Sequence, residues 1–429
     1  MLVPPGDWIE RIIKIDSITD KSNEAIVAFL IPLLKESGLK IEEQKVVENG
    51  ITFKNLIAYN QGLDTPNLLA MNTHLDTVSF GDKADWTKTG GDPFKATRVR
   101  DRIYGLGTAD VKLDFLCKIW AARLARPWKR PFVLVGTFGE ERGLIGVQKL
   151  FDAKKIKPKY ALVGEPSDLE LIYAHKGHLI ATLSLKLSTE KGTIFQKTWK
   201  GKSAHSSTPH LGTNALVKGL TEIFKHGRGI ASLSAGTGGN SVPDSCTAHL
   251  VENKNSTSQR LFSFLHDLKE FERDLRKRKD ARFSPSHATL SLNHALSADG
   301  KLHITFDVRP LPDTNLESLK KRIESIASDC GMDVESLSVD QPLKGHKNGR
   351  FIVEAAQHLK DVGVKIVKKT KASSTEAAIY SAHGAEAIVF GPGISIGNVH
   401  RPNEFNSLRQ MSLATKFYTS LLKSSTGQA

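Results

Sequence analysis

Three short apolar runs in this chain break off in the same way. LLAMNTHLD (Leu68 to Asp76), FVLVGTFGEE (Phe132 to Glu141) and YALVGEP (Tyr160 to Pro166) each pass within a few residues from unbroken apolar side chains to histidine or carboxylates. Such runs are too brief for ordinary helices, and they lack the alternation of a sheet with one wet face. They read as strands covered on both sides, the pattern of an α/β protein with a largely parallel sheet. A sheet buried on both faces needs helices above and below it. In open α/β sheets, sites form beyond the carboxyl ends of the strands, and that is where these polar residues fall. His74 and Asp76 stand two apart, so in a strand they share a face.

The helices are present in the pattern. Asp7 to Leu39 has helical spacing, Lys40 to Ala58 reads as strands, and Val111 to Leu124 is a helix after the glycine-rich turn YGLGTAD. Leu144 to Phe151 begins another helix. From Phe351 the texture gives a helix, a strand at Val364 to Val367, a helix at Thr375 to Ala382, a strand at Ala387 to Phe390 and a last helix near Leu408 to Leu422. Between these parts the chain alternates in LIATLSLKL, ATLSLNHAL and LHITFDVRPL, with helices at Asn214 to His226 and Asn315 to Cys330. That order fits a β-α-β-β-α-β arrangement with one wet sheet face. The expected fold class is α/β, a mixed sheet covered by helices on both faces, with an inserted α+β domain of ferredoxin-like type. The expected boundaries are 1–177 and 345–429 for the large domain and 178–344 for the insertion.

Composition enters chiefly by exclusion. The 429-residue chain has no apolar run long enough to span a bilayer and no leader-like N-terminus, so a cytoplasmic protein without a membrane partner is expected. Its three cysteines are far apart and odd in number, which fits a reducing compartment and leaves no thiolate pair for a metal. The net charge of +14 raises nucleic acid as a partner. The densest basic run, LKEFERDLRKRKDAR, is laced with Glu and Asp and lacks interleaved aromatics. It reads as a solvated helix inside the basic segment 254–285 rather than a phosphate-binding stripe.

His74, Asp76, Asp110, Glu140, Glu141, Glu165 and His400 all follow an apolar run or tight turn of the large domain. Each alone has an ordinary explanation: a histidine satisfied by a carboxylate, an acidic pair at a helix start, a loop histidine. Brought to one sheet edge, they could not all stay charged and unpaired. A divalent cation relieves this, and imidazole with carboxylate suits Zn²⁺, Co²⁺ or Mn²⁺. Two ions sharing a bridging carboxylate would be the economical arrangement for a hydrolase.

NTHLDTVSFG, YGLGTADVK, TFGEERGLIG, LVGEPSD, KSAHSSTPHLGTNAL, FDVRPLP and GNVHRPNEF together resemble the M20 metallopeptidases, the group of acetylornithine deacetylase, succinyl-diaminopimelate desuccinylase, carboxypeptidase G2 and aminoacylases. The resemblance implies His74, Asp110 and Glu165 as ligands of one zinc, and Glu141 and His400, with Asp110 bridging, as ligands of a second. It implies Glu140 as the general base and Asp76 as the carboxylate orienting His74. It also implies His205 of the inserted domain as a stabiliser of the oxyanion, with Asn240, Arg309 and Gly391 near the substrate. Arg309 has a second reading, a structural salt bridge at a strand end. The chain departs from the family pattern at Leu113-Asp114, where small glycines are usual, and at Glu376, where an aspartate is usual.

The resemblance thus implies a two-zinc amidohydrolase (Co²⁺ or Mn²⁺ being the alternatives) acting on an N-acyl amino acid, as a homodimer through the inserted domain. A metallo-dipeptidase or carboxypeptidase acting on short peptides is the alternative within the family. A non-catalytic basic binding protein is the remote one.

Overall fold

The apolar runs are buried strands. The computed structural model describes residues 1–188, 193–236, 238 and 241–425. In it Leu69–His74 lies between Phe132–Thr137 and Tyr160–Val163, parallel to both, with every residue of the three strands buried. The register pairs His74 with Thr137 and Asn72 with Val163, so the three strands end nearly level. That register carries Glu140 and Glu165, a few residues further on, to the same edge as His74.

Glu386–Val389 adds a parallel strand beside Tyr160–Val163. Four more strands would be costly to cover fully, and the sheet grows instead by antiparallel and edge strands. Its order is Lys40–Glu48, Ile51–Tyr59, Phe132–Thr137, Leu69–His74, Tyr160–Val163, Glu386–Val389, Leu171–His175 and Lys368–Lys371. The strand expected at Val364 to Val367 is found four residues later, at Lys368–Lys371. An edge strand is held by backbone hydrogen bonds, and a lysine-rich one resists further pairing, so no apolar signal marks it. Leu171–His175 was also absent from the sequence expectation, although all five residues are buried.

The chain divides into two compact units: Met1–Ala174 with Leu343–Lys369 and Thr375–Ala429, and His175–Pro342 with Thr370–Ser374. The return of Thr370–Ser374 to the second unit is invisible in the sequence pattern.

The second unit is built on a seven-stranded antiparallel sheet, larger than the ferredoxin-like arrangement expected. Its order is Phe195–Lys200, Ser245–Val251, Gly229–Ala235, Thr289–Ala298, Lys301–Arg309, His178–Lys186 and Asp333–Asp340. The two unforeseen strands are its edges, and their residues are mostly exposed, so neither shows an apolar alternation. Three helices, Ala215–Lys225, Ser256–Lys277 and Leu316–Asp329, share one apolar core with the sheet, through Leu216, Leu220, Phe264, Leu268, Leu319 and Ile323 among others. Most of the basic segment is the helix Ser256–Lys277, started by an Asn255 capping box. Arg273–Glu270, Arg276–Glu272 and Lys277–Asp274 pair along its exposed side. No helix among the described residues is long and apolar enough to cross a membrane.

Candidate metal centre

Asp76 organises the start of the site. Its two carboxylate oxygens each accept a backbone N–H, from Glu140 and from Glu141, both at 3.2 Å. The turn after Phe132–Thr137 is thereby tied to the end of Leu69–His74, and the two glutamates start from a fixed backbone. His74 Nδ1 lies 3.0 Å from the carbonyl oxygen of Asp76 and 3.7 Å from its carboxylate. The nearer partner of that ring nitrogen is therefore the Asp76 backbone, and the Asp76 carboxylate, expected to orient the ring, acts on it as well. Either acceptor favours a proton on Nδ1 and leaves Nε2 of a neutral ring able to ligate a metal.

Asp110 sits between the two histidines. His74 Nε2 is 3.2 Å from Asp110 Oδ1, and His400 Nε2 is 3.1 Å from Asp110 Oδ2. His400 Nε2 also lies 3.2 Å from Glu141 Oε1. Two groups of possible donors result: His74 with Glu140 and Glu141, and Asp110 with Glu141 and His400, the donor atoms of each group lying within 4.8 Å of one another. Glu165 is buried and belongs to neither tight group, but its charge acts on Glu140.

Glu404 holds Asp110 from behind. Its carboxylate accepts the N–H groups of Ala109 at 2.7 Å, Asp110 at 3.0 Å and Gly107 at 3.3 Å. These are the amides of a turn just before the helix Lys112–Leu124, and a buried acceptor satisfies donors that otherwise have no partner. Lys112 reaches back to the carbonyl of Ile15 at 2.8 Å. Burial lowers its pKa to about 8.

The protonation states follow from this crowding. Burial opposes charge on His400, but the Glu141 charge and the bonds to Asp110 and Glu141 outweigh it and raise its pKa to about 11. His74 is likewise raised well above the ordinary range, against burial, by Glu140 and Asp110. Asp110 is held low despite its burial by the two histidines. Burial pushes Glu140 well up, and Glu165 and Glu141 add to this, while His74 pulls the other way. Burial raises Glu141 too, with His400 opposing. The crowding thus favours the protonated forms of His74 and His400 and the neutral forms of Glu140 and Glu141.

The remaining expected residues are placed as follows. Gly391 packs on the backbone of Glu165: a Cβ there would lie 2.6 Å from the Glu165 carbonyl oxygen. In the second unit, His205 is exposed, with Nδ1 at 2.8 Å from Ser207 Oγ. Arg309 is buried and pairs with Asp307 at 3.1 Å and Ser206 at 3.3 Å, so the partner in view is a structural carboxylate. Asn240 lies outside the described residues.

The sequence pattern of peptidase family M20/M25/M40 matches residues 70–424. The chain belongs to this family. It is 28% identical over 408 residues to acetylornithine deacetylase of Edwardsiella ictaluri, covering 91% of this chain and 88% of the relative. Its fold is similar to that of aminoacylhistidine dipeptidase from Vibrio alginolyticus, with TM-score 0.66 and 14% identity, over 97% of this chain and 95% of that one. A metallo-carboxypeptidase of the M20 family from Sulfolobus solfataricus gives TM-score 0.65 and 17% identity, over 97% of each chain. As an M20 protein the chain is a metal-dependent hydrolase of amide bonds. The donor set fits such a metal: imidazole and carboxylate, with His74, Asp110 and Glu165 buried, no thiolate, and more carboxylates than local cations to balance them.

Several residues of this region escaped the sequence reading. Glu404 stands in GNVHRPNEF beside His400, and its acid type four residues past a ligand was the available signal. In the sequence Asp114 and Glu376 stand out only as departures from the family pattern. Glu376 is buried and accepts a hydrogen bond from Asn72, and its pKa is raised to about 7 by burial, against the His74 charge. Lys118 gave no signal.

Proposed function

We propose that this chain is a dinuclear metal-dependent amidohydrolase that removes the acyl group from an N-acyl amino acid. The observation that carries the reading is Asp110, whose two oxygens face one histidine each at 3.2 and 3.1 Å. A carboxylate so placed is suited to bridging two cations. His74, Asp110 and Glu165 would hold one ion, and Asp110, Glu141 and His400 the other. Zn²⁺ is the expected ion, with Co²⁺ or Mn²⁺ able to use the same donors. Bound there, the ions supply Lewis acidity that polarises the amide carbonyl and makes water acidic enough to attack near neutral pH.

The protein's own residues do the rest. Glu140 is half-buried beside His74 and near other carboxylates, and desolvation raises its pKa, the direction that suits a group exchanging protons with water. It takes the proton of the attacking water and delivers one to the departing amine. Asp76 holds the Glu140 backbone and so helps to fix where that carboxyl sits, and it orients the His74 ring. His205 is assigned the developing oxyanion, and Arg309, Asn240 and Gly391 the substrate's carboxylate end. The named relative deacetylates acetylornithine, which supports an N-acetyl amino acid as the substrate. The second unit is assigned dimerisation, and three free, buried cysteines support a cytoplasmic setting.

Glu140→Gln tests the assignment. Turnover of N-acetyl amino acids should fall by about 10²–10⁴-fold, with two equivalents of metal still bound. Substantial remaining turnover would remove Glu140 from its role. A wild-type preference for dipeptides over N-acetyl amino acids in the same assay would replace the deacetylase reading with a dipeptidase one.

A further inference from the structure

The helix Lys112–Leu124 buries an ion pair directly beneath the metal centre. Asp114 Oδ2 and Lys118 Nζ lie 2.8 Å apart, and both side chains are fully buried. Burying two charges carries a large desolvation cost, and an apolar pair of similar volume is often as stable. Stability alone therefore does not account for these residues, whereas their contacts do.

Lys118 uses its three N–H groups on three acceptors: Asp114, the Asn72 carbonyl at 2.7 Å and Thr73 Oγ1 at 2.7 Å. Thr73 in turn donates to Asp114 Oδ2 at 2.9 Å, and the Tyr418 hydroxyl donates to Asp114 Oδ1. The pair thus grips the two residues that precede His74. It also meets the residue that precedes Glu165. A Cβ on Gly164 would lie 2.0 Å from Asp114 Oδ2 and 2.6 Å from Lys118 Nζ, and the Gly164 amide donates to the same Asn72 carbonyl at 2.7 Å. Asp110 stands one turn earlier, just ahead of the helix that carries the pair. The backbones of His74, Glu165 and Asp110 therefore converge on one buried contact. Glu141 and His400 are held elsewhere, Glu141 by Asp76 and the His400 turn by Asn398, which bonds Ile394 and Phe405.

We propose that Asp114 and Lys118 are positioning residues for one of the two ions, setting the spacing of His74, Asp110 and Glu165 while leaving the other ion's own ligands, Glu141 and His400, untouched. The proposal rests on the two-ion reading given above. It is tested by calorimetric titration of metal-stripped protein with ZnCl₂, alongside melting temperature and steady-state kinetics. The variants are Asp114→Asn, Gly164→Ala and the apolar double replacement Asp114→Leu/Lys118→Met. Glu165→Ala marks which binding step belongs to the ion of His74.

Expected is a loss of about 10–100-fold in the affinity of that step, less than a threefold change in the other, and kcat reduced more than KM. The double replacement should still fold and show the selective loss, melting below wild type because the buried Tyr418 hydroxyl loses its Asp114 acceptor. If one single variant fails to fold, the double replacement carries the measurement. Both steps weakening equally, or neither changing in a folded variant, overturns the proposal. Wild-type protein that takes up fewer than two ions overturns the two-ion reading itself, and this proposal with it.

Discussion

Removing the Glu404 carboxylate should loosen Asp110 and destabilise the first unit together. Glu404→Ala leaves three amide donors, Gly107, Ala109 and Asp110, without their acceptor in a site where Glu404 is 1% exposed. Each net hydrogen bond lost contributes about 1 kcal/mol, and a buried donor left unsatisfied costs about 1–3 kcal/mol. Partial relaxation and water entry place the total near 3–5 kcal/mol, at the upper end for single substitutions. For a unit of this size that corresponds to a fall in Tm of about 6–15 °C. Glu404→Gln keeps one acceptor oxygen and should lose less than half as much.

The pH dependence carries a definite sign. Burial first, and the Asp110 charge second, raise the Glu404 pKa to about 7 from 4.5. The folded state therefore holds its proton over a range where the unfolded chain has lost it. Stability from this group is complete below about pH 4.5 and is lost as pH rises through about 7. The deficit of either variant relative to wild type should accordingly be larger at pH 5 than at pH 8. Scanning calorimetry on metal-stripped protein at both pH values measures this without linkage to bound ions. A Glu404→Ala protein melting within about 2 °C of wild type at pH 5, with unchanged kcat/KM, would refute the reasoning.

Metal uptake should release protons. The histidines are charged in the metal-free site, His400 up to about pH 11 and His74 well above its ordinary range, and only neutral imidazole ligates. Titrations at pH 7.5 in buffers of different ionisation enthalpy should show about two protons leaving per site pair, with affinity rising as pH rises; no release would contradict the assignment of both histidines. Arg309→Leu should strand the buried Asp307 carboxylate, which also accepts from Ser206. A loss of about 3–5 kcal/mol is expected by chemical denaturation, whereas a normal midpoint with a raised KM would make Arg309 a substrate residue alone.

Much of the fold and most of the candidate site were legible in the sequence, because both depend on local pattern. A strand buried on both faces must be apolar throughout, so the three runs before His74, Glu140 and Glu165 mark themselves. Edge strands such as Lys368–Lys371 and Asp333–Asp340 are held by backbone bonds and carry no such mark. The same limit applied at the site. Candidate ligands are residue types after strand ends, and the family resemblance implied His74, Asp110, Glu141, Glu165 and His400; the structure gathers all of these but Glu165 into two tight donor groups. Which atom supports which ligand was not legible. The Asp76 carboxylate turned out to hold the amides of Glu140 and Glu141, and the backbone of Asp76 faces the His74 ring.

By itself, the sequence determined the kind of sheet, the edge at which chemistry would gather and the donor types that suit a divalent cation. Those follow from periodicity and side-chain chemistry, which are properties of neighbours along the chain. Only the tertiary structure decided that Asp110 offers one oxygen to each histidine, that Glu404 cradles its turn, and that a buried Asp114–Lys118 pair joins the residues ahead of His74 and Glu165. Thr73 and Lys118 are 45 positions apart, and Asp110 and Glu404 are 294. Contacts at such separations are set by how strands register and helices pack, and no local pattern encodes them.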